Sequence, residues 1–138
     1  MEKSKFQFTN PILTHLEFEL HEDFINVGKL DMKIDISSAH RRIQHDDNTL
    51  SNSAIVAVTV CVGSKDNRTP FYIQADEEAT FRWDERKFSE KEIDTLLHEN
   101  AVALLISYVR PIIANVTASS LYPGYNLPFI NLVRAKNE

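Results

Sequence analysis

His40, His45, Asp46 and Asp47 are the side chains of this chain that come nearest to metal-ligating chemistry. They fall in a polar stretch and match no established ligand spacing, so neither a metal nor any other cofactor is expected. His15, His21 and His98 are scattered. The single cysteine, Cys61, lies in a strand-like run with no helix start nearby to activate its thiol, and three glycines leave no phosphate-cradling loop. An enzyme is not expected. What the sequence offers instead is apolar binding. Residues 121–132 read LYPGYNLPFINL, a loop crowded with aromatic and aliphatic side chains. Loops lie at the surface because buried loop backbone leaves polar groups unpaired. A loop this apolar is expected to bury itself, either on its own core or against another chain. Tyr122, Tyr125, Leu127, Phe129 and Ile130 are its candidate anchors for a bound polypeptide. The alternative, that they lock the loop onto the protein's own core, stays open.

The elements that must position this loop can be read backwards from it. Ser89-Glu90-Lys91-Glu92 is a capping box that opens a helix. Ile93, Leu96, Leu97, Ala101, Leu104, Leu105, Tyr108 and Ile112 form one apolar stripe, expected to cover a sheet. Val102, Ile106, Val109, Ile113 and Val116 form a second. Together they span roughly 220° of the helix, where a one-sided surface helix needs about 100°. Val102, Ile106, Val109 and Ile113 are therefore the candidate subunit interface, the competing reading being a helix deeply buried within one domain. Pro111 is expected to kink this helix or divide it.

Four strands are expected before the helix. Leu16, Phe18 and Leu20 alternate with Glu17, Glu19 and His21, and Leu30, Met32, Ile34 and Ile36 alternate with polar residues. Asn26-Val27-Gly28 between these runs reads as a hairpin turn. A polar segment over Ser37 to Ser53 precedes a third strand, Ala54 to Val62, whose β-branched content suggests burial on both faces. The fourth, Phe71 to Trp83, carries Glu77 on its apolar face, where a bulge is expected. Strands followed by a helix predict an α+β fold, a four-stranded antiparallel sheet covered on one face by a long C-terminal helix.

Composition narrows the partners. A length of 138 residues suits one domain, 1–138, and a net charge of −5 argues against nucleic acid. No signal peptide is visible after Met1, and the apolar window Ala101 to Val116 is broken by Arg110-Pro111, so membrane insertion is not expected. A lone cysteine fits a reducing, cytoplasmic setting.

Two motifs carry a resemblance. Leu105-Ile106-Ser107-Tyr108-Val109-Arg110 keeps the Leu, Tyr and Arg of the Leu-Phe-Pro-Tyr-Ala-Arg segment in the long helix of SecB, the protein-export chaperone. The ungapped continuation Tyr122-Pro123-Gly124-Tyr125-Asn126-Leu127-Pro128-Phe129-Ile130-Asn131-Leu132 resembles that family's Phe-Pro-x-x-Asn-Leu-x-Pro-x-Asn-Phe. The motif match covers about a quarter of the chain, and the four strands agree in number and order. Ser107 replaces the helix proline, Pro111 introduces one, and Pro128 stands one position early. This sequence ends at Glu138, where the family continues into a second helix and an acidic tail, so contacts made through that end are not carried over.

The resemblance implies a SecB-like domain and an ATP-independent holdase, a chaperone that assembles as a dimer or a dimer of dimers (a homotetramer). Unfolded or nascent polypeptides would lie in an apolar groove between helix, loop and sheet, for protein export or a related role. It also implies that acidic sheet surface, here Glu17 and Glu19, docks an export ATPase; a plain solvated strand face is the competing reading. A dedicated interaction module on the same fold, such as the chaperone of a toxin–antitoxin pair binding an antitoxin, is the alternative function.

Overall fold

The structure, a computed structural model, describes residues 2–26, 28–44 and 50–130. Five strands precede the helix: β1 (Phe6–Phe8), β2 (Ile12–Leu20), β3 (Ile34–Gln44), β4 (Leu50–Gly63) and β5 (Phe71–Trp83). Helix α1 (Glu90–Thr95) runs through a turn of π-helix (Leu96–Asn100) into α2 (Ala101–Ala118). All pairings are antiparallel, and β1 and β2 lie one after the other along the same edge of β5. The sheet is thus four positions wide, as expected, with the edge position shared by two segments.

The connectivity differs from the expected hairpin. β2 pairs with β5 and β3 with β4, so the chain crosses from one edge of the sheet to the other between them. Together with the meander β3-β4-β5 this is a Greek key. The crossing segment is tied to the β4–β5 connection. The His21 backbone N–H donates to the Pro70 carbonyl at 2.9 Å, and Gly63 N–H donates to the Lys33 carbonyl at 2.8 Å. Leu30 and Met32 belong to this crossing rather than to a strand. The stretch read as a polar connection is mostly strand: β3 continues through Arg42 and β4 starts at Leu50.

The core lies between α2 and the two central strands. Val56, Val58, Val60 and Val62 of β4 and Ile73, Ala75 and Phe81 of β5 are buried beneath the helix. On the other face Ile55, Ala57, Thr59 and Cys61 are only half-buried, because no second layer among the described residues covers them. β4 is therefore buried on one face, not on both. β5 runs unbroken past Glu77. The irregularity falls on its neighbour, where the register shifts between Leu13 and His15 of β2. An extra residue at an edge strand disturbs fewer ladder bonds than one in the centre.

Ser89 caps α1 as expected: Glu92 N–H donates to Ser89 Oγ at 3.1 Å, and Ser89 N–H donates to Glu92 Oε1 at 2.9 Å. The helix continues through Pro111 without a boundary. By length and composition alone Glu90–Ala118 is apolar enough to cross a membrane, a test that the core helix of a soluble protein also passes. Here one face of it forms the roof of the core.

The π turn decides which face that is. Ile93 and Leu97, before and within it, are buried as the first stripe requires. A π turn adds one residue relative to α-helical phase, which rotates everything after it by about 100°. Past Asn100 the inward positions accordingly become Val102, Leu105, Ile106, Val109 and Ile113. Val102, Ile106, Val109 and Ile113, assigned from sequence to subunit contact, lie in the core and face the chain's own sheet. Leu104, Tyr108 and Ile112, assigned to the sheet, are turned outward and partly exposed.

Candidate functional site

After Ala118 the chain reverses and runs back along α2. Its first tie is made by Thr117, whose hydroxyl donates to the Ile113 carbonyl at 2.7 Å and accepts from the Tyr125 N–H at 2.7 Å. Gly124 lets the backbone approach. A Cβ there would stand 2.9 Å from the Ala114 carbonyl oxygen and 3.3 Å from Ala118 Cβ, space only glycine leaves free. Arg110 makes the third tie, its guanidinium donating to the carbonyl oxygens of Leu127 and Pro128, the latter at 2.9 Å.

These ties sort the apolar loop residues. Leu127 is buried in the main core, and the Tyr125 ring lies 6.0 Å from that of Phe71, centroid to centroid. Burial also raises the Tyr125 phenol above its ordinary pKa, keeping it neutral. These two side chains lock the loop. Phe129 is 93% exposed, and Tyr122 and Ile130 are half-buried. Phe129 and Ile130 flank Ala103, Ile106, Ser107 and Arg110 around an open cleft of about 190 Å³.

A second apolar surface lies along the β1–β2 edge. Phe8, Leu13 and Leu16 pair with Phe81, Glu77 and Ala75, so they point to the helix side of the sheet. They and Tyr108 keep 38–41% of their surface exposed, because α2 covers the central strands and stops short of this edge. Phe8 and Tyr108 meet edge to face at 6.3 Å between centroids. Singly exposed apolar side chains are ordinary, and what distinguishes these is that they lie next to one another along one edge. The sequence reading missed this row because Phe8 lay outside any expected strand.

The opposite face of the sheet is polar. Glu17 and Glu19 are exposed there, paired with Gln74 and Tyr72, and Asp35, Asp76 and Glu78 share the face. The Tyr72 phenol donates to Cys61 Sγ at 3.5 Å. That bond, burial, and the charges of Cys61, Glu17 and Asp35 push it up to about 12, so it stays neutral amid the acids. Among the other singled-out histidines, His15 is exposed on this face. His21 is buried against the Thr69 carbonyl at 2.8 Å. His45, Asp46 and Asp47 lie outside the described residues, but β3 carries His40 to His98, which sequence separation had hidden.

No protein-family model matches the chain. The uncharacterized protein MJ0357 of Methanocaldococcus jannaschii is 27% identical over 135 residues, covering 94% of this chain and 81% of that protein. Among solved structures, the Mycobacterium tuberculosis SecB-like chaperone Rv1957, in complex with a ChAD peptide from the Rv1956 HigA1 antitoxin, aligns with a TM-score of 0.66. Its identity is 14%, and the alignment covers 92% of this chain and 88% of that one. A protein of unknown function from Streptococcus agalactiae aligns with a TM-score of 0.51 and 14% identity, over 93% of this chain and 100% of that one. The fold is SecB-like, α+β with the helix over an antiparallel sheet.

Proposed function

We propose that this chain is an ATP-independent holdase chaperone that holds non-native polypeptide against its exposed apolar surfaces, in protein export or a related role. The observation that carries the reading is Phe129, almost wholly exposed on a loop otherwise tied down at three points, beside an apolar cleft on a SecB-like fold. A fixed backbone presenting an uncovered aromatic side chain loses little order when a client binds. Tyr122, Phe129 and Ile130 on the loop and Leu13 and Leu16 on the sheet edge are the client anchors. At about 1.5–3 kcal/mol for each fully buried side chain, they supply on the order of 10 kcal/mol gross. Association and ordering cost several kcal/mol, which leaves reversible, roughly micromolar capture at one site. Several sites acting on one long client tighten it further.

The outward flank of α2, Leu104, Tyr108 and Ile112, takes the subunit-contact role in a dimer or dimer of dimers. Glu17 and Glu19 belong to the acidic face offered to an export ATPase, residues 1–138 act as one SecB-like domain, and the setting is cytoplasmic. The test is aggregation of an unfolded model protein without ATP. Substoichiometric tetramer is expected to slow it, and no suppression at several-fold excess rejects the holdase.

A second reading is favoured by the peptide in the similar M. tuberculosis structure, which comes from an antitoxin. On that reading the same surface serves one dedicated partner, as in a toxin–antitoxin-associated chaperone. Pull-down from the native host recovering one folded partner, rather than many nascent chains, would favour it.

A further inference from the structure

Away from the groove, the helix side of β3 meets the start of the helix through three side chains of metal-binding type. His40 projects from β3, and Asp94 and His98 come from α1 and the π turn. We propose that His40, Asp94 and His98 form a binding site for a divalent transition-metal ion of the Zn2+ class, which fastens the beginning of the helix to β3.

One ligand atom from each of the three residues lies within 4.8 Å of the others. His98 Nε2 and Asp94 Oδ1 are 3.3 Å apart. Zn–N and Zn–O bonds of about 2.0–2.1 Å at tetrahedral angles put neighbouring ligand atoms roughly 3.3 Å apart, so this pair already has the required spacing. The His40 and His98 rings are edge to face, with centroids 4.5 Å apart and an interplanar angle of 86°. Metal binding on this geometry requires the His40 nitrogen, within 4.8 Å of the other two ligand atoms, to draw in to the same spacing. Two imidazoles and a carboxylate suit Zn2+, Co2+ or Ni2+ better than Mg2+ or Ca2+, which take oxygen ligands.

The surroundings are consistent with a cation. The nearest fixed positive charge on the same face of β3 is Arg42, which is drawn to Glu90 at 2.7 Å and over the Trp83 ring at 5.2 Å. His98 sits within the π turn, an irregularity found disproportionately at functional sites. Asp94 and His98 are exposed, so the remaining coordination position faces solvent, open to water or to a side chain of a partner. The site stands on different residues from the proposed client surface and does not depend on that reading.

The test uses the full-length, tag-free protein, stripped with chelator and titrated calorimetrically with Zn2+ alone. One equivalent per chain is expected, and Co2+ should give the visible d–d bands of a tetrahedral site. A hundredfold excess over Kd should raise Tm by roughly 5–10 °C. Loss of an outer-shell partner costs about 10–100-fold in metal affinity, so His40→Ala and His98→Ala should each weaken binding by at least about 100-fold. His15→Ala, on the other face of the sheet, should leave it unchanged. Should either histidine variant fold poorly, Asp94→Asn at an exposed position provides the same readout. No binding by the parent protein overturns the proposal, as does binding that survives all three ligand substitutions. A variant that shifts Tm equally with and without Zn2+ marks an ordinary Asp94–His98 ion pair and overturns it too.

Discussion

Arg110 Nη2 donates to the carbonyl oxygen of Pro128 at 2.9 Å, joining the middle of α2 to a loop position 18 residues further on. The same guanidinium reaches the Leu127 carbonyl. Two motifs that look independent along the chain are therefore one device, in which the helix arginine holds the proline–asparagine loop in place. Arg110→Ala should release residues 124–130. Hydrogen bonds to charged groups contribute about 1.5–3 kcal/mol, so a loss of roughly 2 kcal/mol in urea unfolding is expected. Amide exchange should quicken in the loop while the β4–β5 ladder stays protected. Lys at this position lacks the planar fork and should restore only part of the effect.

Leu127 and Phe129 should separate stability from binding. Leu127→Ala removes a buried core side chain and is expected to cost about 2–4 kcal/mol. Phe129→Asp acts on a side chain in water and should change stability by no more than about 0.5 kcal/mol, while aggregation suppression falls severalfold. If Phe129→Asp keeps full holdase activity, Phe129 is not a client anchor.

The sheet edge offers an independent check on the second surface. Leu16→Asp places a charge on the half-exposed apolar row beside Leu13 and Phe8. Client capture should weaken, with the far-ultraviolet circular dichroism spectrum unchanged. Crosslinking from a photoreactive residue at position 16 to an unfolded client should vanish once client is omitted.

Gly63 ends β4 at φ +89°, and a Cβ there would stand 2.1 Å from the Phe71 carbonyl oxygen. Backbone cannot yield as a flexible side chain does. Gly63→Ala should therefore destabilise the protein by more than the roughly 1 kcal/mol that a lost positive-φ glycine alone involves. Denaturant unfolding measures this directly.

Glu77 titrates against stability. It is buried on the helix side of β5, facing Val58 and Leu13 on the neighbouring strands, and Oε2 has no hydrogen-bond partner among the described residues. Burial raises its pKa above the ordinary value. The unfolded chain therefore gives up this proton first as pH rises. This contribution is most favourable below the unfolded pKa, near pH 4, and declines until the folded carboxyl also ionises. Glu77→Gln should abolish that pH dependence. Its stability relative to the parent protein should improve as pH rises above the unfolded carboxylate range, about pH 4, and a difference that does not change with pH would refute the assignment.

Local patterns were legible where a single element decides them. The Ser89–Glu92 capping box acts within four residues, and β5 shows its alternation everywhere but at Glu77 because one face is buried. The extension of β3 through Ser37 to Arg42 was not legible, since an edge strand exposed to water has no apolar alternation to display. Nor was the Greek key, since pairing between β2 and β5 is settled by competition among edges far apart in the chain.

The sequence by itself determined an antiparallel sheet under a helix apolar on two faces, with an apolar loop that must find cover. Only the tertiary structure decided which helix face meets the sheet. One added residue in the π turn shifts the phase of all that follows, and composition is blind to phase. It likewise decided that Leu127 turns inward and Phe129 outward, and that His40 meets His98. Those outcomes depend on packing between segments whose separation along the chain carries no information about their distance in space.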